Sequence, residues 1–390
     1  MRIFFSVGEP SGDQHAAHLI HELRKRNTAF EAVGYGGPAM REAGCELRFQ
    51  LTKLAVMGFL RVVPLLRQFL ALAKKAKQEF QADPPDAVVL VDFPGFNWWI
   101  ARSAAKAGIP VYYYMPPQLW AWAPWRIKRV RKHIKHVLCA LSFEHDWYAK
   151  RGVQATYVGH PFFDEVAEKQ LDEDFVSQLI PQDGTRLVAV LPGSRRHEVE
   201  RNFPLMLKTI ERLAAKHSDA KFVIASYNEE QRELAEQLIA DSCILNLPKM
   251  CMHVGQTSEI IQAADCCLMV SGSVSLELLA RKTPGTVVYR LTRLHTTLRP
   301  VVIQCKYITL TNLIAGEEIM PEFVSSGPEE PTVESLFGVL DNWLSNPLKL
   351  ERTKKQLAEL ADRVVLTGAT GNAANVILQE QQSQARRTAA

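Results

Sequence analysis

A chain of 390 residues with 47% hydrophobic content is long enough for two domains with real cores, which excludes a disordered or fibrous protein. A formal charge of +4 is small for that length, so no nucleic-acid partner is expected, although charge can still gather locally. The seven cysteines form no CxxC pair and mostly sit in apolar surroundings, as small core residues in a reducing cytosol do.

The first strand, Ile3-Phe4-Phe5-Ser6-Val7, runs into Gly8-Glu9-Pro10-Ser11-Gly12-Asp13, and residues 13–26 read as a helix with Ala16, Ala17, Ile20 and Leu23 on one face. No basic leader precedes it and no apolar run approaches the ~20 residues of a membrane span, so neither a signal peptide nor a spanning helix is expected. A short strand over 32–34 precedes Gly36-Gly37-Pro38. Residues 54–73 are more apolar than a surface helix requires, but Pro64, Arg61 and Arg67 argue against a span. A core helix and an interfacial segment that admits acyl chains both remain. Strands over 86–91 and 111–114 follow, then a basic run of Arg126, Lys128, Arg129, Arg131, Lys132 and Lys135. That run suits a solvated helix face or a surface for anionic lipid or substrate phosphate.

A charged stretch over 165–174 and Pro181-Gln182-Asp183-Gly184 mark a domain junction. Beyond it the pattern repeats: a strand over 187–191 enters Pro192-Gly193-Ser194-Arg195, with a helix around 198–216 and strands over 221–227 and 266–270. A short helix near 257–264 and a helix from about 273 complete the set. Strands alternating with helices predict an α/β fold of parallel sheets, two doubly wound domains facing each other across a cleft. The boundaries read as 1–175 and 176–365, with an amphipathic segment at 366–390 returning to the first domain.

Chemistry concentrates where strands end. Ser271, Gly272 and Ser273 follow an apolar strand and open an apolar helix, so their N–H groups and hydroxyls can meet a diphosphate at a positive helix end. Arg195 can add a bidentate fork beside Ser194. Asp92 ends the 86–91 strand and Glu9 occupies the corresponding edge after the first, so either carboxylate can serve as a general base. Asp13 suits a helix cap. His160 in Val158-Gly159-His160-Pro161 is either structural or a phosphate contact. His15, His18 and His21, like Cys251 and His253, lack the ligand set of a metal motif, so no metal site is expected.

Taken in order, Gly8-Glu9-Pro10-Ser11-Gly12-Asp13, Gly34-Tyr35-Gly36-Gly37, Val56-Met57-Gly58, Val91-Asp92-Phe93-Pro94 with Phe96-Asn97, and Trp120-Ala121-Trp122 form one series. Phe143-Glu144, Val158-Gly159-His160-Pro161, Leu191-Pro192-Gly193-Ser194-Arg195 with Glu198, Ser271-Gly272, Tyr289-Arg290, Asn312-Leu313 and Pro321-Glu322 continue it. The series resembles the lipid A disaccharide synthases over nearly the whole chain. The resemblance implies a GT-B architecture and an inverting, metal-independent glycosyl transfer without a cofactor. The donor would be UDP-2,3-diacylglucosamine and the acceptor 2,3-diacylglucosamine 1-phosphate. Transfer would occur on the inner face of the cytoplasmic membrane, by a peripheral protein able to form a homodimer. It further implies Asp92 and then Glu9 as catalytic residues, with Ser11, Gly12, Asp13, His160, Ser194, Arg195, Gly272, Ser273, Glu277 and Asn312 binding substrate, Asn312 at the diphosphate or donor sugar. Gly95 departs from the family pattern, where many members carry a second acidic residue, and so do Arg61, Pro116, Ser273 and Ser325. Two rivals stay open: another GT-B UDP-sugar enzyme, such as an epimerase or peptidoglycan glycosyltransferase, which would share the nucleotide half without an acyl site at 54–73, and a non-catalytic lipid- or nucleotide-binding homologue, prompted by Gly95 and Arg61.

Overall fold

A computed structural model of the protein describes residues 1–54, 65–291 and 305–389. The Val56-Met57-Gly58 motif, Arg61, Pro64 and the first part of the apolar 54–73 stretch lie outside the described residues. Its remainder opens the Leu66–Ala82 helix, whose Phe69, Leu72, Ala76 and Phe80 are buried while Leu66 and Leu70 are exposed. Among the described residues no helix is long and apolar enough to cross a membrane.

The chain divides into two compact units, Met1–Asp164 with Leu366–Ala390, and Glu165–Val365. The first is built on a seven-stranded parallel sheet of β1 (Arg2–Val7), β2 (Glu31–Gly36), β3 (Glu46–Gln50), β4 (Ala87–Val91), β5 (Val111–Tyr114), β6 (His136–Cys139) and β7 (Ala155–Tyr157), in the order β3-β2-β1-β4-β5-β6-β7. Its central strands are apolar throughout because both faces are covered. Alternate residues feed two cores: Phe4, Val88, Leu90, Val111 and Tyr113 pack under the Leu66–Ala82, Pro94–Lys106 and Ile127–His133 helices. Ile3, Phe5, Val7, Val89, Val91 and Tyr112 pack under the Pro10–Arg26 helix. Each such fully buried aliphatic or Phe side chain contributes about 1.5–3 kcal/mol.

The C-terminal Ala369–Ala389 helix completes that second core through Ala373, Ala374 and Ile377, so the expected return to the first unit is observed. Asp164 anchors its start, accepting hydrogen bonds from the N–H groups of Gly368 at 2.6 Å and Thr370 at 3.5 Å.

The second unit has a six-stranded parallel sheet of β8 (Leu187–Leu191), β9 (Lys221–Ser226), β10 (Met250–Val254), β11 (Cys266–Val270), β12 (Gly285–Arg290) and β13 (Glu322–Ser325), ordered β10-β9-β8-β11-β12-β13. Residues 165–175, which the composition break groups with the first domain, lie in this unit because the Glu173–Leu179 helix packs on Thr257–Ala263. In each sheet the strand order reverses once, between β1 and β4 and between β8 and β11. A doubly wound sheet opens a crevice at the carboxyl edge of such a reversal.

Candidate active site

In the first unit, the parallel register pairs Val7 with Val91, so the residues leaving β1 and β4 emerge side by side at one edge. Glu9 and Asp92 both belong to that edge. Asp92 and Phe93 have φ of 43° and 44°, two consecutive non-glycine residues in the left-handed region. Each costs about 1–3 kcal/mol and persists only where its surroundings enforce it. Buried Asn97 does so: its Nδ2 donates to the carbonyls of Asp92 at 2.8 Å, Ser6 at 3.1 Å and Val91 at 3.3 Å, and its Oδ1 accepts from Ser6 Oγ at 2.6 Å. Tyr113, buried, donates its hydroxyl to the Asp92 carbonyl at 2.8 Å. The Phe93 ring lies so close over Gly8 that a Cβ there would sit 2.2 Å from it, so the first loop needs glycine for space. The turn holds the Asp92 carboxyl at a partly desolvated edge, where burial raises its pKa above the ordinary value and a hydrogen bond from Phe93 N–H partly offsets that.

The neighbouring Gly/Ser loop is shorter than its sequence suggests. Proline fixes the first helical φ, so the helix begins at Pro10 and Ser11 and Gly12 lie in its first turn. Ser11 is exposed, and Glu9 is the extended N-cap residue whose side chain does not cap the helix. Gly12 is a packing residue, since a Cβ there would lie 3.1 Å from Val7 and 3.5 Å from Val91. Asp13 is a cap, but of a different helix from its own. Its carboxylate accepts from Gly37 N at 2.7 Å, Ala39 N at 2.9 Å and Met40 N at 3.3 Å, at the start of Pro38–Glu42. With those bonds made, the Asp13 carboxylate supports the edge.

His160 Nδ1 accepts from Phe162 N at 3.2 Å, and burial together with His15 pushes its pKa down to about 3. It is therefore neutral at physiological pH and can offer a phosphate only an uncharged N–H. The Trp120 and Glu144 motifs are separate in their series and carry no role in the sequence; the structure joins them. Trp120 Nε1 donates to Glu144 Oε1 at 2.9 Å, Leu141 N donates to Oε2 at 3.3 Å, and burial pushes the carboxyl up to about 7. The signal was present in an acidic residue three positions into the Ser142–Ala149 helix, where it can reach back to the helix start.

In the second unit, Gly193 has φ of 124°, and a Cβ there would meet Glu198 Cβ at 2.8 Å. Buried Glu198 folds back on the loop, its Oε2 accepting from Ser194 N and Arg195 N, both at 3.3 Å. These two N–H groups thus already face a carboxylate. Arg195 Nη1 reaches Glu198 Oε1 at 3.2 Å, and its side chain remains 53% exposed.

At the next strand end, Gly272 and Ser273 are exposed at the start of the Val274–Arg281 helix, and the Ser273 side chain makes no cap. Ser271 Oγ instead donates to Ile308 O at 2.9 Å, and Thr311 Oγ1 to Ser275 O at 2.7 Å. The segment providing these contacts is held by Glu322. Its carboxylate accepts from Ile308 N at 2.7 Å, Thr309 N at 2.9 Å, the Thr309 hydroxyl and Asn312 Nδ2 at 2.8 Å.

Asn312 is fully buried, and both ends of its amide are engaged within the protein. Nδ2 donates to Met320 O at 2.6 Å and to Glu322, and Oδ1 accepts from Ile319 N and Met320 N, each at 2.9 Å. An amide has two donor hydrogens and two acceptor lone pairs, so none is left for a diphosphate. So engaged, Asn312 braces the loop from behind. Glu277 is nearly buried and pairs with Arg281 Nε at 3.0 Å, which leaves it one oxygen beyond that bond. Among the described residues no group of three or more His, Cys, Asp or Glu could hold a metal ion.

Two α/β units of this topology in one chain define the GT-B class of glycosyltransferases and sugar-nucleotide epimerases. The fold matches MurG of Acinetobacter baumannii with a TM-score of 0.61 at 13% identity, covering 97% of this chain and 99% of that one. It matches UDP-GlcNAc 2-epimerase of Neisseria meningitidis, solved with UDP-GlcNAc, with a TM-score of 0.60 at 13% identity over 98% and 100%. The lipid-A-disaccharide synthetase family model matches residues 3–363. The lipid-A-disaccharide synthase of Idiomarina loihiensis is 34% identical over 89% of this chain and 91% of its own, and that of Anaeromyxobacter dehalogenans 35% over 85% and 86%. The chain belongs to the lipid-A-disaccharide synthase family, as the ordered motifs lead one to expect.

Proposed function

We propose that the protein joins UDP-2,3-diacylglucosamine to 2,3-diacylglucosamine 1-phosphate, giving a β-1,6-linked disaccharide 1-phosphate and UDP. The first unit takes the acceptor and the second the UDP-sugar. The observation that carries the assignment is the Asp92 turn, a desolvated carboxylate held at a sheet edge by Asn97 and Tyr113. Asp92 takes the proton of the acceptor 6-hydroxyl as that oxygen bonds to the donor's anomeric carbon. The bond from that carbon to the phosphate oxygen breaks from the opposite face, inverting the centre, and its electron pair leaves with UDP. Glu9, at the same edge, is the second candidate for the base.

Charge growing on the diphosphate meets the Arg195 guanidinium and the open first turn at Gly272 and Ser273, preorganised positive ends that supply several kcal/mol in such transfers. This reading requires no divalent ion. Asn312, Glu322 and Glu198 keep the two loops in shape, and Glu277 faces the donor with its remaining oxygen. Peripheral attachment to the inner face of the cytoplasmic membrane and a homodimer belong to the same reading.

The test is incubation with both acylated sugars and mass analysis of the product. The expected species has the mass of donor plus acceptor less UDP. Turnover of non-acylated UDP-N-acetylglucosamine alone, with no disaccharide, would transfer the protein to the epimerase-like branch of the fold.

A further inference from the structure

The basic run divides in the structure. On the Ile127–His133 helix, Ile127 and Val130 are buried, Arg129 and Lys132 line a cleft against the Pro94–Lys106 helix, and Lys128 and Arg131 stay exposed outside it. The cleft has a volume of about 760 Å³ and is walled by Trp98 and Trp99. Arg102 and Lys106 from the Pro94–Lys106 helix complete a set of four cations, and no carboxylate lines the cleft. None of the four has an ion-pair partner among the described residues.

Helix stability accounts for only part of the set. Lys106 and Lys132 lie near helix C-termini, where the dipole favours a cation, but Arg129 lies in the first turn of its helix, where the dipole opposes one. Burial first, and then all four charges, hold His133 below the ordinary histidine range. Trp98, which lines the cleft, has a buried Nε1 without a hydrogen-bond partner among the described residues. One turn before Arg129, Trp125 is 63% exposed, and Arg126 stacks over Trp122 at 4.7 Å. Aromatic rings beside unpaired cations suit a boundary between water and lipid.

We propose that this cleft binds the phosphate-bearing headgroup of an acylated amphiphile. Arginine forks match phosphate oxygens, and the volume is that of a small-molecule site, well beyond a bare ion. The chemistry is shared by the 1-phosphate of the acceptor and by an anionic phospholipid of the bilayer. The inference rests on the reading above, in which phosphorylated lipids are handled at a membrane surface.

The experiment compares Arg102→Ala/Arg129→Ala with Lys128→Ala/Arg131→Ala, two variants that remove the same charge from exposed positions inside and outside the cleft. Circular dichroism checks that both fold. One arm measures binding to phosphatidylcholine vesicles with and without phosphatidylglycerol at low salt. The other measures KM for the acceptor and for the UDP-sugar in neutral detergent micelles.

The cleft variant should lose about tenfold or more in one arm, and the outside variant about threefold or less. Loss confined to vesicle binding assigns the bilayer lipid, and a rise in acceptor KM with unchanged donor KM assigns the acceptor phosphate. Equal losses in the two variants, or no loss in either arm, overturn the proposal. If the wild type forms no disaccharide, the proposed reaction fails by itself, and the vesicle arm, which needs no turnover, still decides the cleft.

Discussion

The two sheet edges handle charge in opposite ways. At the end of β4 the backbone is strained, the carboxylate is partly desolvated, and a buried asparagine and a tyrosine hydroxyl grip the carbonyl behind it. At the end of β11 the loop is exposed and cap-free, and its support comes from behind, through the Glu322 clamp on residues 308–312. A base gains proton affinity from desolvation, whereas a cradle for a leaving group needs fixed N–H dipoles facing outward. On the proposed reading, the same strand-loop-helix layout serves as a proton acceptor in one unit and an anion cradle in the other. The difference lies in which side of the loop the protein itself occupies.

The largest effect should come from removing the charge at the first edge. Asp92→Asn keeps a side chain that tolerates left-handed backbone, so the variant should fold with an unchanged or raised Tm while turnover falls about 10²-fold or more. Steady-state kinetics beside a thermal melt checks both halves. Near-normal turnover would pass the base to Glu9. In the wild type, the acid limb of the kcat/KM profile should lie above the ordinary aspartate value of 3.8, because burial raises this group.

Next comes the grip itself. Asn97→Ala leaves the Asp92 carbonyl and the Ser6 hydroxyl short of a partner, and should cost about 2 kcal/mol of stability together with about tenfold in kcat. A loss of stability with kcat untouched would separate the turn's strain from its chemistry. On the other edge, Asn312→Ala should lower stability by about 2–4 kcal/mol, through the unpaired N–H groups of Ile319 and Met320. Its effect on UDP affinity should follow only from the disturbed loop. An unchanged Tm with strongly weakened UDP binding, read by calorimetry, would make Asn312 a direct ligand.

The smallest effect is a pH dependence of the first unit. Burial holds His160 at about 3 and His15 at about 4, below the ordinary 6.5, so the folded state carries both rings neutral while the unfolded chain takes up protons first. Their contribution is complete above pH 6.5 and is lost as pH falls through 6.5 toward 4 and 3. The Tm should drop between pH 7.5 and 5, and drop less in His160→Gln. Asp92 and Glu144, both raised by burial, act with the opposite sign and favour the folded state on the acid side, so the histidine variant isolates the effect.

Much of this molecule was readable before any coordinates. Apolar runs such as 187–191 and 266–270 have one stable use, as central parallel strands covered on both faces, and their alternation with amphipathic helices sets the two α/β units. The ordered motifs marked the family, and the strand ends marked Asp92, Arg195 and Ser273 as candidates, because a doubly wound sheet presents its loops at that edge. Partnership was not readable. Asp13, Glu198, Asn312 and Glu322 are polar residues inside functional motifs, and nothing in their spacing says whether their hydrogen bonds go to a ligand or to the backbone. That choice depends on atoms brought within 3 Å from segments far apart in the chain, such as Asp13 with Gly37 or Asn97 with Ser6. Local sequence therefore determined the layers and the edges, while tertiary packing decided which side chains at those edges are already satisfied and which remain for chemistry.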